Sequence, residues 1–170
     1  MDIVDNFLSE SDFRNIEEKI FWNPEFPMSL FPFIASKEHD KEIDNKYNWF
    51  GQHYIYDRSV PMSPFYDLIG SIILPRIEKI TGLRALIRIK INFYPVSPTI
   101  MEHAMHKDFD FPHRGALFSI NTCNGYTTLK DGNKINSVAN RVVFHDPSIE
   151  HSSSSTTDAK GRWNININYI

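Results

Sequence analysis

From Leu83 onwards, apolar and polar residues alternate along the chain with a period of two. In the first alternating segment the apolar positions are Ile87, Ile89, Ile91 and Phe93, and the polar positions are Arg88, Lys90, Asn92 and Tyr94. This period is typical of a β-strand whose two faces meet different surroundings. Further short strands are predicted at 116–121, 126–130, 138–144 and 162–169. Asn-Gly, Asp-Gly and Asp-Pro pairs mark turns between them, so residues 83–170 are predicted to form an antiparallel sandwich or barrel.

The first half of the chain shows helical signals instead. Ser9 is a suitable N-cap for a helix that runs to about Phe21. A second helix is predicted to begin at Ser63-Pro64 and to end at Gly82, because proline is tolerated in a first turn and glycine commonly ends a helix. Pro75 lies inside this second segment and is expected to kink it.

The segments between these helices complete the expected organisation. Residues 22–36 contain three prolines among aromatic residues, which argues against regular structure there. Short strands are predicted at residues 3–4 and 52–56, and the charged run at residues 37–42 is interpreted as solvated surface or as a flap over a cavity mouth. We therefore expect a single α+β domain over residues 1–170. In it, residues 1–82 supply helical support and loops for a β core of residues 83–170.

Composition narrows the classes of protein that fit this chain. Its 170 residues, 41% of them hydrophobic, suffice for one domain with a core. The 18 basic and 21 acidic residues leave a formal net charge of −3, which argues against a dedicated nucleic-acid binder. The single cysteine, Cys123, excludes an intrachain disulfide and indicates a reducing compartment. With no membrane-spanning apolar run and no signal-peptide pattern, we expect a cytoplasmic protein.

Three residues of the second half have the chemistry of a metal site. His106 and Asp108 are two residues apart, so in an extended segment their side chains fall on one face and can bind one ion. His151 follows a predicted strand and is the candidate third ligand. Two histidines and one carboxylate leave the opposite coordination positions open, as is typical of non-haem Fe(II) oxygenases. The alternative ligands left open are His103, His145 and Asp110, whereas His113 is expected to be exposed.

The last predicted strand is polar on one face and apolar on the other. The polar set is Arg162, Asn164, Asn166 and Asn168, and the apolar set is Trp163, Ile165, Ile167 and Tyr169. The ordinary arrangement puts the polar face in water. We favour the inverse, because the helices of the first half need an apolar sheet face to cover. Arg162 would then face a cavity and, with no acidic residue near it in sequence, would bind an anion such as a dicarboxylate co-substrate.

The order His106-x-Asp108, His151, Arg162 resembles the Fe(II)/2-oxoglutarate-dependent dioxygenase superfamily, and in particular its prolyl-4-hydroxylase-like branch. The resemblance covers about residues 83–170 and includes INFYP at 91–95, SINxxNGYT at 119–127, DG at 131–132 and NRVVF at 140–144. The chain looks like the small stand-alone oxygenases of marine phages and bacteria. If it is encoded by a phage, the expected cytoplasm is that of the host.

This resemblance implies a double-stranded β-helix (jelly-roll) core with supporting N-terminal helices. It also implies that His106, Asp108 and His151 hold Fe(II) and that Arg162 binds the distal carboxylate of 2-oxoglutarate. Further cofactor-binding candidates are Tyr94, Asn92 and Thr128. The implied reaction hydroxylates a substrate C–H bond with O₂ and yields succinate and CO₂, and it leaves room for ascorbate as a reductant. Peptidyl proline is the substrate by likeness, but other peptide or protein side chains and small molecules also fit.

Two positions depart from the pattern of that branch. Phe118 stands where a tyrosine is common, and Asn164 stands where a serine is common, so the details of co-substrate binding are in question. Two rival functions stay open. A cupin-like metalloenzyme would use the same three ligands without 2-oxoglutarate, with Arg162 pointing outward. A non-catalytic β-sandwich binding module would hold no metal, and chelators would leave its stability unchanged.

Overall fold

The computed structural model describes residues 1–34 and 45–170. These residues contain eleven β-strands and three α-helices. In chain order they are β1 (Asp2–Val4), α1 (Glu10–Ile16), β2 (Ser29–Phe31), β3 (Phe50–Asp57), β4 (Val60–Pro61), α2 (Tyr66–Ile72), α3 (Leu74–Thr81), β5 (Leu86–Pro95), β6 (Arg114–Ser119), β7 (Tyr126–Leu129), β8 (Lys134–Asn136), β9 (Arg141–His145), β10 (His151–Ser153) and β11 (Gly161–Tyr169). A π-helical turn over Glu17–Phe21 extends α1. The charged run at residues 37–42, with its alternative as a flap, lies outside the described residues.

The strands form two antiparallel sheets. The larger has the order β1-β9-β6-β11-β5-β3-β2, with β4 attached to β3, and the smaller has the order β10-β7-β8. Isolated bridges join Glu102 to Ser154 and His106 to His151, so the segment before β6 runs alongside β10. The antiparallel β core predicted for the second half is thereby confirmed. Strands of the first half extend its large sheet at both edges, because β1 pairs with β9 and β3 pairs with β5.

The two longest strands are neighbours. β5 and β11 pair antiparallel from Pro95 opposite Gly161 to Leu86 opposite Tyr169. Both strands alternate apolar and polar residues, and this register sets the polar residues of one directly opposite those of the other. The large sheet therefore has one apolar and one polar face at its centre.

The helices cover the apolar face. Fully buried isoleucines of the two central strands form one cluster with isoleucines of the helices, namely Ile89, Ile91, Ile165 and Ile167 with Ile16, Ile20, Ile69 and Ile77. Each such side chain contributes about 1.5–3 kcal/mol by burial. Phe118 of β6 joins this cluster, where its ring lies against Phe7 and Phe13. The inverse arrangement favoured from the sequence is thus confirmed.

The helix boundaries follow the predicted signals with two differences. The Ser9 hydroxyl accepts a hydrogen bond from the Asp12 backbone N–H at 3.2 Å, and Gly82 ends α3 in the left-handed conformation with φ 68°. The predicted second helix, however, begins at Tyr66 rather than at Ser63-Pro64, and it is two helices that meet at Ile73. Pro75 lies in the first turn of α3, where its missing N–H costs no helical hydrogen bond.

Four short strands were not predicted. β2 lies in the proline-rich segment expected to be irregular, β4 lies between a predicted strand and a predicted helix, and β8 and β10 fall between predicted strands. Each has only two or three residues, too few to show a period in the sequence, and each exists because it pairs with a neighbour. Within residues 1–34 and 45–170, no helix has the length and apolar character needed to span a membrane.

Candidate metal centre

His106, Asp108 and His151 lie together on the polar side of the core. The backbones of His106 and His151 exchange two hydrogen bonds of 2.9 Å, so their rings project side by side with centroids 4.7 Å apart. Asp108 follows two residues later. One potential ligand atom from each of the three residues lies within 4.8 Å of the other two. The structure therefore brings together the three residues that the sequence predicted as ligands.

The two imidazoles present their Nε2 atoms. His106 Nδ1 lies 3.2 Å from the Ala104 carbonyl oxygen, and His151 Nδ1 lies 3.0 Å from the Ile149 carbonyl oxygen. A carbonyl oxygen only accepts, so each Nδ1 carries the proton and each Nε2 has a free lone pair. Burial, with His151 nearby, lowers the pKa of His106 from 6.5 to about 4. His106 is thus neutral at physiological pH, the form that binds a metal ion.

Asp108 is an ionised and firmly held carboxylate. Its Oδ1 lies 2.7 Å from Arg88 Nη2, and its Oδ2 accepts hydrogen bonds from the side-chain amides of Asn166 at 3.1 Å and Asn168 at 2.9 Å. Burial favours the protonated acid, but the charges of Lys90 and Arg88 outweigh it and hold the pKa of Asp108 below its ordinary value. A buried carboxylate fixed in this way is oriented before any metal binds.

The donor set fits Fe(II). Two neutral imidazole nitrogens and one carboxylate on one side of an ion leave its remaining positions open, which is the arrangement of non-haem Fe(II) oxygenases. The hydrogen bonds that orient these three side chains also suit a metal site. Backbone carbonyls orient both histidines, and side-chain amides orient the carboxylate.

A ladder of polar side chains leads away from these ligands across the two central strands. The facing pairs are Arg162 with Tyr94, Asn164 with Asn92, Asn166 with Lys90 and Asn168 with Arg88. We call these eight residues the polar ladder. Two of its pairs are joined directly: Asn92 donates to Asn164 Oδ1 at 2.9 Å, and Arg88 Nε donates to Asn168 Oδ1 at 3.1 Å. The Asp108 carboxylate lies at the Arg88 end of the polar ladder, and Arg162 lies at the opposite end.

Arg162 is 1% exposed, and no described carboxylate lies within ion-pair distance of it. Its Nη1 donates to the carbonyl oxygens of Tyr126 at 2.7 Å and Ser154 at 3.4 Å, and its Nη2 donates to Thr127 Oγ1 at 2.7 Å. An arginine has five N–H donors, so two remain, one on Nε and one on Nη2. Nε is buried without a hydrogen-bond partner in the described structure. These two donors suit a carboxylate bound in bidentate fashion.

A glycine makes room for this arginine. A Cβ atom on Gly125 would lie 2.8 Å from Arg162 Cδ and 2.7 Å from the Ser155 carbonyl oxygen. Any other residue at position 125 would therefore displace the arginine or the backbone beside it. This contact explains why the Asn-Gly pair at 124–125 is more than a turn signal.

The other predicted cofactor-binding residues divide into two groups. Tyr94 and Asn92 lie on the polar ladder; the Arg162 guanidinium carbon lies 5.5 Å from the centre of the Tyr94 ring, and burial raises the pKa of the Tyr94 hydroxyl. Thr128, the other predicted candidate, does not line the described cavity. Its neighbour Thr127 contacts Arg162 and lines the cavity beside the proposed ligands, because adjacent residues of a strand point to opposite sides.

The alternative ligands lie outside the three-residue cluster. His103 is buried, hydrogen-bonded through Nδ1 to Ser153 Oγ at 2.9 Å and stacked on Tyr94. Asp110 is exposed. His145 lines the same cavity as the ligands, its ring centre is 5.3 Å from that of His151, and burial lowers its pKa to about 4.

His113 was expected to be exposed, and this prediction was wrong. It is buried, its Nδ1 donates to the Phe111 carbonyl oxygen at 2.8 Å, and its Nε2 accepts from Asn168 at 3.3 Å. Since Asn168 also binds Asp108, His113 supports the carboxylate through that amide. Phe118 was considered as a departure in the pocket, but it lies in the apolar core, and the next residue, Ser119, faces Asn164 across the sheet.

Sequence reasoning missed the ion pairing of Asp108. It placed Arg88 and Lys90 on a cavity-lining face but did not connect them with the carboxylate. Nothing in the sequence shows this contact, because 20 residues separate the arginine from the aspartate in the chain and only the sheet register brings them together. The run Asn-x-Asn-x-Asn in β11 was the available signal for the amide donors.

A cavity opens from the ligands to the surface. Its outer part has a volume of about 730 Å³ and is lined by His106, Asp108 and the four β5 residues of the polar ladder on one side and by aromatic residues on the other. A narrow inner part of about 30 Å³ continues past Tyr94, Thr127 and His151. Lys90, Asn92, Tyr94 and His106 line both parts.

Comparisons by sequence find no matching family profile and no matching curated protein. Comparisons of structure find many similar folds. A prolyl hydroxylase from Trichoplax adhaerens, solved with a peptide of hypoxia-inducible factor, is 15% identical with a TM-score of 0.69, over 99% of this chain and 82% of the other. The viral collagen prolyl hydroxylase of Paramecium bursaria Chlorella virus-1, solved with 2-oxoglutarate, is 11% identical with a TM-score of 0.61, over 99% and 93% of the two chains.

A 2-oxoglutarate–Fe(II) oxygenase family oxidoreductase from Burkholderia pseudomallei is 13% identical with a TM-score of 0.68, over 98% of this chain and 83% of the other. These likenesses extend over nearly the whole chain. The α+β class and the double-stranded β-helix core predicted from the sequence are therefore confirmed. The chain has the fold that these two prolyl hydroxylases and this 2-oxoglutarate–Fe(II) oxygenase share.

Proposed function

We propose that this chain is a single-domain Fe(II)- and 2-oxoglutarate-dependent dioxygenase that hydroxylates a C–H bond of its substrate. The observation that carries the proposal is the coexistence of two features on the polar side of the core. One is the cluster of His106, Asp108 and His151. The other is the buried Arg162, which has two free donors and no described carboxylate beside it and which contacts Thr127 and Tyr94 of the inner cavity wall. A metal site alone would also suit a cupin-like enzyme, but the inward-facing Arg162 calls for an anionic co-substrate.

Each group has one task in this proposal. His106, Asp108 and His151 hold Fe(II), and Arg162 binds the distal carboxylate of 2-oxoglutarate. Tyr94, Asn92 and Thr127 line the space between them and orient the co-substrate. When bound, Fe(II) and 2-oxoglutarate supply the oxidative chemistry, in which O₂ and 2-oxoglutarate become succinate and CO₂ while a substrate C–H becomes C–OH.

The chain itself supplies positioning and a dry interior. Thr127 Oγ1 and two backbone carbonyls fix the guanidinium of Arg162, and the amides of Asn166 and Asn168 fix Asp108. The strand residues around them are buried, so water has little access to the co-substrate end of the cavity. No side chain is needed as a general base.

The substrate class follows from likeness alone. The Trichoplax enzyme was solved with a peptide, and peptidyl proline is accordingly the first substrate to test for this chain. Other peptide or protein side chains and small molecules are the alternatives. We place the reaction in the cytoplasm because the single cysteine suits a reducing compartment, and ascorbate is a reasonable reductant to include in assays.

The test is an anaerobic titration of the metal-free protein with Fe(II) and then with 2-oxoglutarate. We expect a visible metal-to-ligand charge-transfer band that saturates with the co-substrate. His106→Ala and His151→Ala should each abolish iron binding while circular dichroism shows an unchanged fold. His145→Gln is the matched control, because His145 lines the same cavity outside the ligand cluster, and it should keep the band.

The other outcomes separate the rival functions. Iron binding without a band would favour a cupin-like metalloenzyme that does not use 2-oxoglutarate. Absence of iron binding, with stability unchanged by chelators, would favour a non-catalytic β-sandwich module. Normal iron binding by the His106 variant would show that the ligand assignment is wrong.

A further inference from the structure

Lys90 is the charged group of the cavity whose role is not explained by the metal site or by the co-substrate. It lies on β5 in the wall shared by the inner and outer parts of the cavity, and its side chain is 13% exposed. Its Nζ is 3.8 Å from Asp108 Oδ1, an ion-pair contact that is longer than a hydrogen bond. A lysine so little exposed needs a compensating negative charge, and Lys90 shares the Asp108 carboxylate with Arg88.

Asp108 is already engaged by other groups. Arg88 lies at 2.7 Å from its Oδ1, and two asparagine amides bind its Oδ2. Arg88 in turn is fixed by Asn168 Oδ1 at 3.1 Å and by the Phe109 ring, whose centre lies 4.5 Å from the guanidinium carbon. Arg88 is therefore the structural partner of Asp108, and Lys90 is the less constrained cation that faces the cavity.

Among the residues that the structure describes, the charges around the proposed ligands do not balance without a further anion. Arg88, Lys90 and Arg162 are three cations with exposed fractions of 13% or less, and Asp108 is the only described carboxylate near them with a similarly small exposure. A divalent metal ion and doubly charged 2-oxoglutarate cancel each other, so their binding leaves the excess of positive charge unchanged. The remaining charged groups of the wall, Lys107, Asp110 and Glu150, are exposed at the rim, where water screens them.

The outer part of the cavity has room for the uncharged part of a ligand that carries an anionic group. Beside Lys90 the wall is apolar and aromatic, formed by Phe31, Phe33, Ile34, Phe50 and Tyr54. Tyr54 faces Lys90 directly across β3 and β5. A ligand with an anionic group at Lys90 would therefore lay its apolar body on the aromatic wall.

We propose that Lys90 is a specificity-determining residue that binds a carboxylate or phosphate of the primary substrate, whose apolar part contacts the aromatic wall. The inference rests on the proposed function, because it is the co-substrate that occupies Arg162 and leaves Lys90 for the substrate. It narrows the substrate class to acidic molecules, including peptides with an acidic residue beside the oxidised one.

The test compares three probes of similar shape: benzoate, phenyl phosphate and neutral benzamide. Each is titrated by calorimetry into the full chain loaded with Ni(II), a redox-inert substitute for Fe(II), and saturated with 2-oxoglutarate. A charge-assisted contact at Lys90 should make one of the two anions bind at least about tenfold more tightly than benzamide. The better anion identifies the group as carboxylate or phosphate.

Three variants assign the preference to Lys90. Lys90→Met should reduce it to less than about twofold, and Lys90→Arg should retain most of it, since the positive charge is kept. Lys107→Met is the matched control, because it removes an exposed lysine from the rim of the same cavity and should leave the preference unchanged.

Equal binding of anions and benzamide by the wild-type protein would overturn the inference without any variant. A preference that survives Lys90→Met would overturn it too, since the anion would then bind the metal or another group. The calorimetric heat of 2-oxoglutarate binding, recorded first, keeps the two proposals apart. If 2-oxoglutarate does not bind, the proposed function fails; if it binds but the anion preference is absent, only the assignment of Lys90 fails.

Discussion

The polar ladder has a buried arginine at each end, and the two arginines have different partners. Arg88 has a carboxylate at 2.7 Å, an asparagine oxygen at 3.1 Å and a phenylalanine ring. Arg162 has two backbone carbonyls, a threonine hydroxyl and a tyrosine ring, and no described carboxylate. The charge of Arg88 is neutralised within the chain, and it orients a proposed metal ligand. The charge of Arg162 is left for an anion from outside, so equal burial of two arginines does not mean an equal role.

Replacing Arg88 should have the largest effect on stability. Arg88→Met leaves the Asp108 carboxylate buried without its closest cation, and we expect the free energy of unfolding to fall by about 3 kcal/mol. Fe(II) should bind more weakly as well, because the carboxylate loses its orientation. Urea denaturation and a metal titration measure the two effects. A loss below about 1 kcal/mol would mean that Lys90 alone can hold Asp108.

Replacing Arg162 should affect the co-substrate instead. In Arg162→Met, loss of the bidentate contact should weaken 2-oxoglutarate binding about 100-fold. Stability without ligand should change by less than about 1 kcal/mol, since relief of an uncompensated charge offsets three lost hydrogen bonds. Calorimetry on the Ni(II)-loaded protein and urea denaturation test this. A loss of stability equal to that of Arg88→Met would remove the contrast between the two arginines.

Lowering the pH should reduce the stability of the protein through groups at the Asp108 end of the polar ladder. The pKa values of His106 and His145 are lowered from 6.5 to about 4, so the unfolded chain binds protons that the folded chain does not. Their contribution to stability is present above pH 6.5 and is lost as the pH falls toward 4. Below that, protonation of Asp108, whose pKa is also lowered, adds to the loss.

We expect the free energy of unfolding of the metal-free protein to fall by about 4 kcal/mol, about 2 kcal/mol for each histidine, between about pH 7.5 and pH 5 in urea denaturation. His145→Gln should reduce this loss by about half. Arg162→Met should keep it unchanged, because no titrating carboxylate or histidine is paired with Arg162 in the described structure. A pH-independent stability would show that these histidines have the same pKa in the folded and unfolded chain.

The smallest effect tests the face of β7. Thr127→Val removes the hydroxyl that orients Arg162 Nη2 and should weaken 2-oxoglutarate binding about fivefold. Thr128→Val is the matched control on the opposite face and should leave the affinity unchanged. Calorimetry on the Ni(II)-loaded protein distinguishes the two. Weaker binding by the Thr128 variant alone would restore the original assignment of Thr128.

The residues that lie on the face predicted for them from the sequence share a local cause. His106 and Asp108 were placed on one face because a two-residue spacing in an extended chain requires it. Arg162 and its three asparagines were placed on one face by the same period. The sequence could not show which of the two adjacent threonines at 127 and 128 faces the cavity, because their strand has only four residues and reveals no clear period.

The prediction that His113 is exposed was wrong for another reason. A neighbouring proline and arginine suggested an exposed loop, but burial of a loop histidine depends on what packs over it. Here it packs beside Phe109 and Phe111 and bonds to Asn168, which is 55 residues away in the chain. No pattern around residue 113 contains that information.

The sequence by itself determined the α+β class, the positions of the longest strands and helices, the inward polar face of β5 and β11, and the common face of His106 and Asp108. These follow from side-chain period and capping, which are local properties of the chain. The tertiary structure alone decided that Asp108 is neutralised by Arg88 and that Arg162 has no described carboxylate beside it. These depend on the register between strands far apart in sequence, and a buried charge is matched or left unmatched only when that register forms.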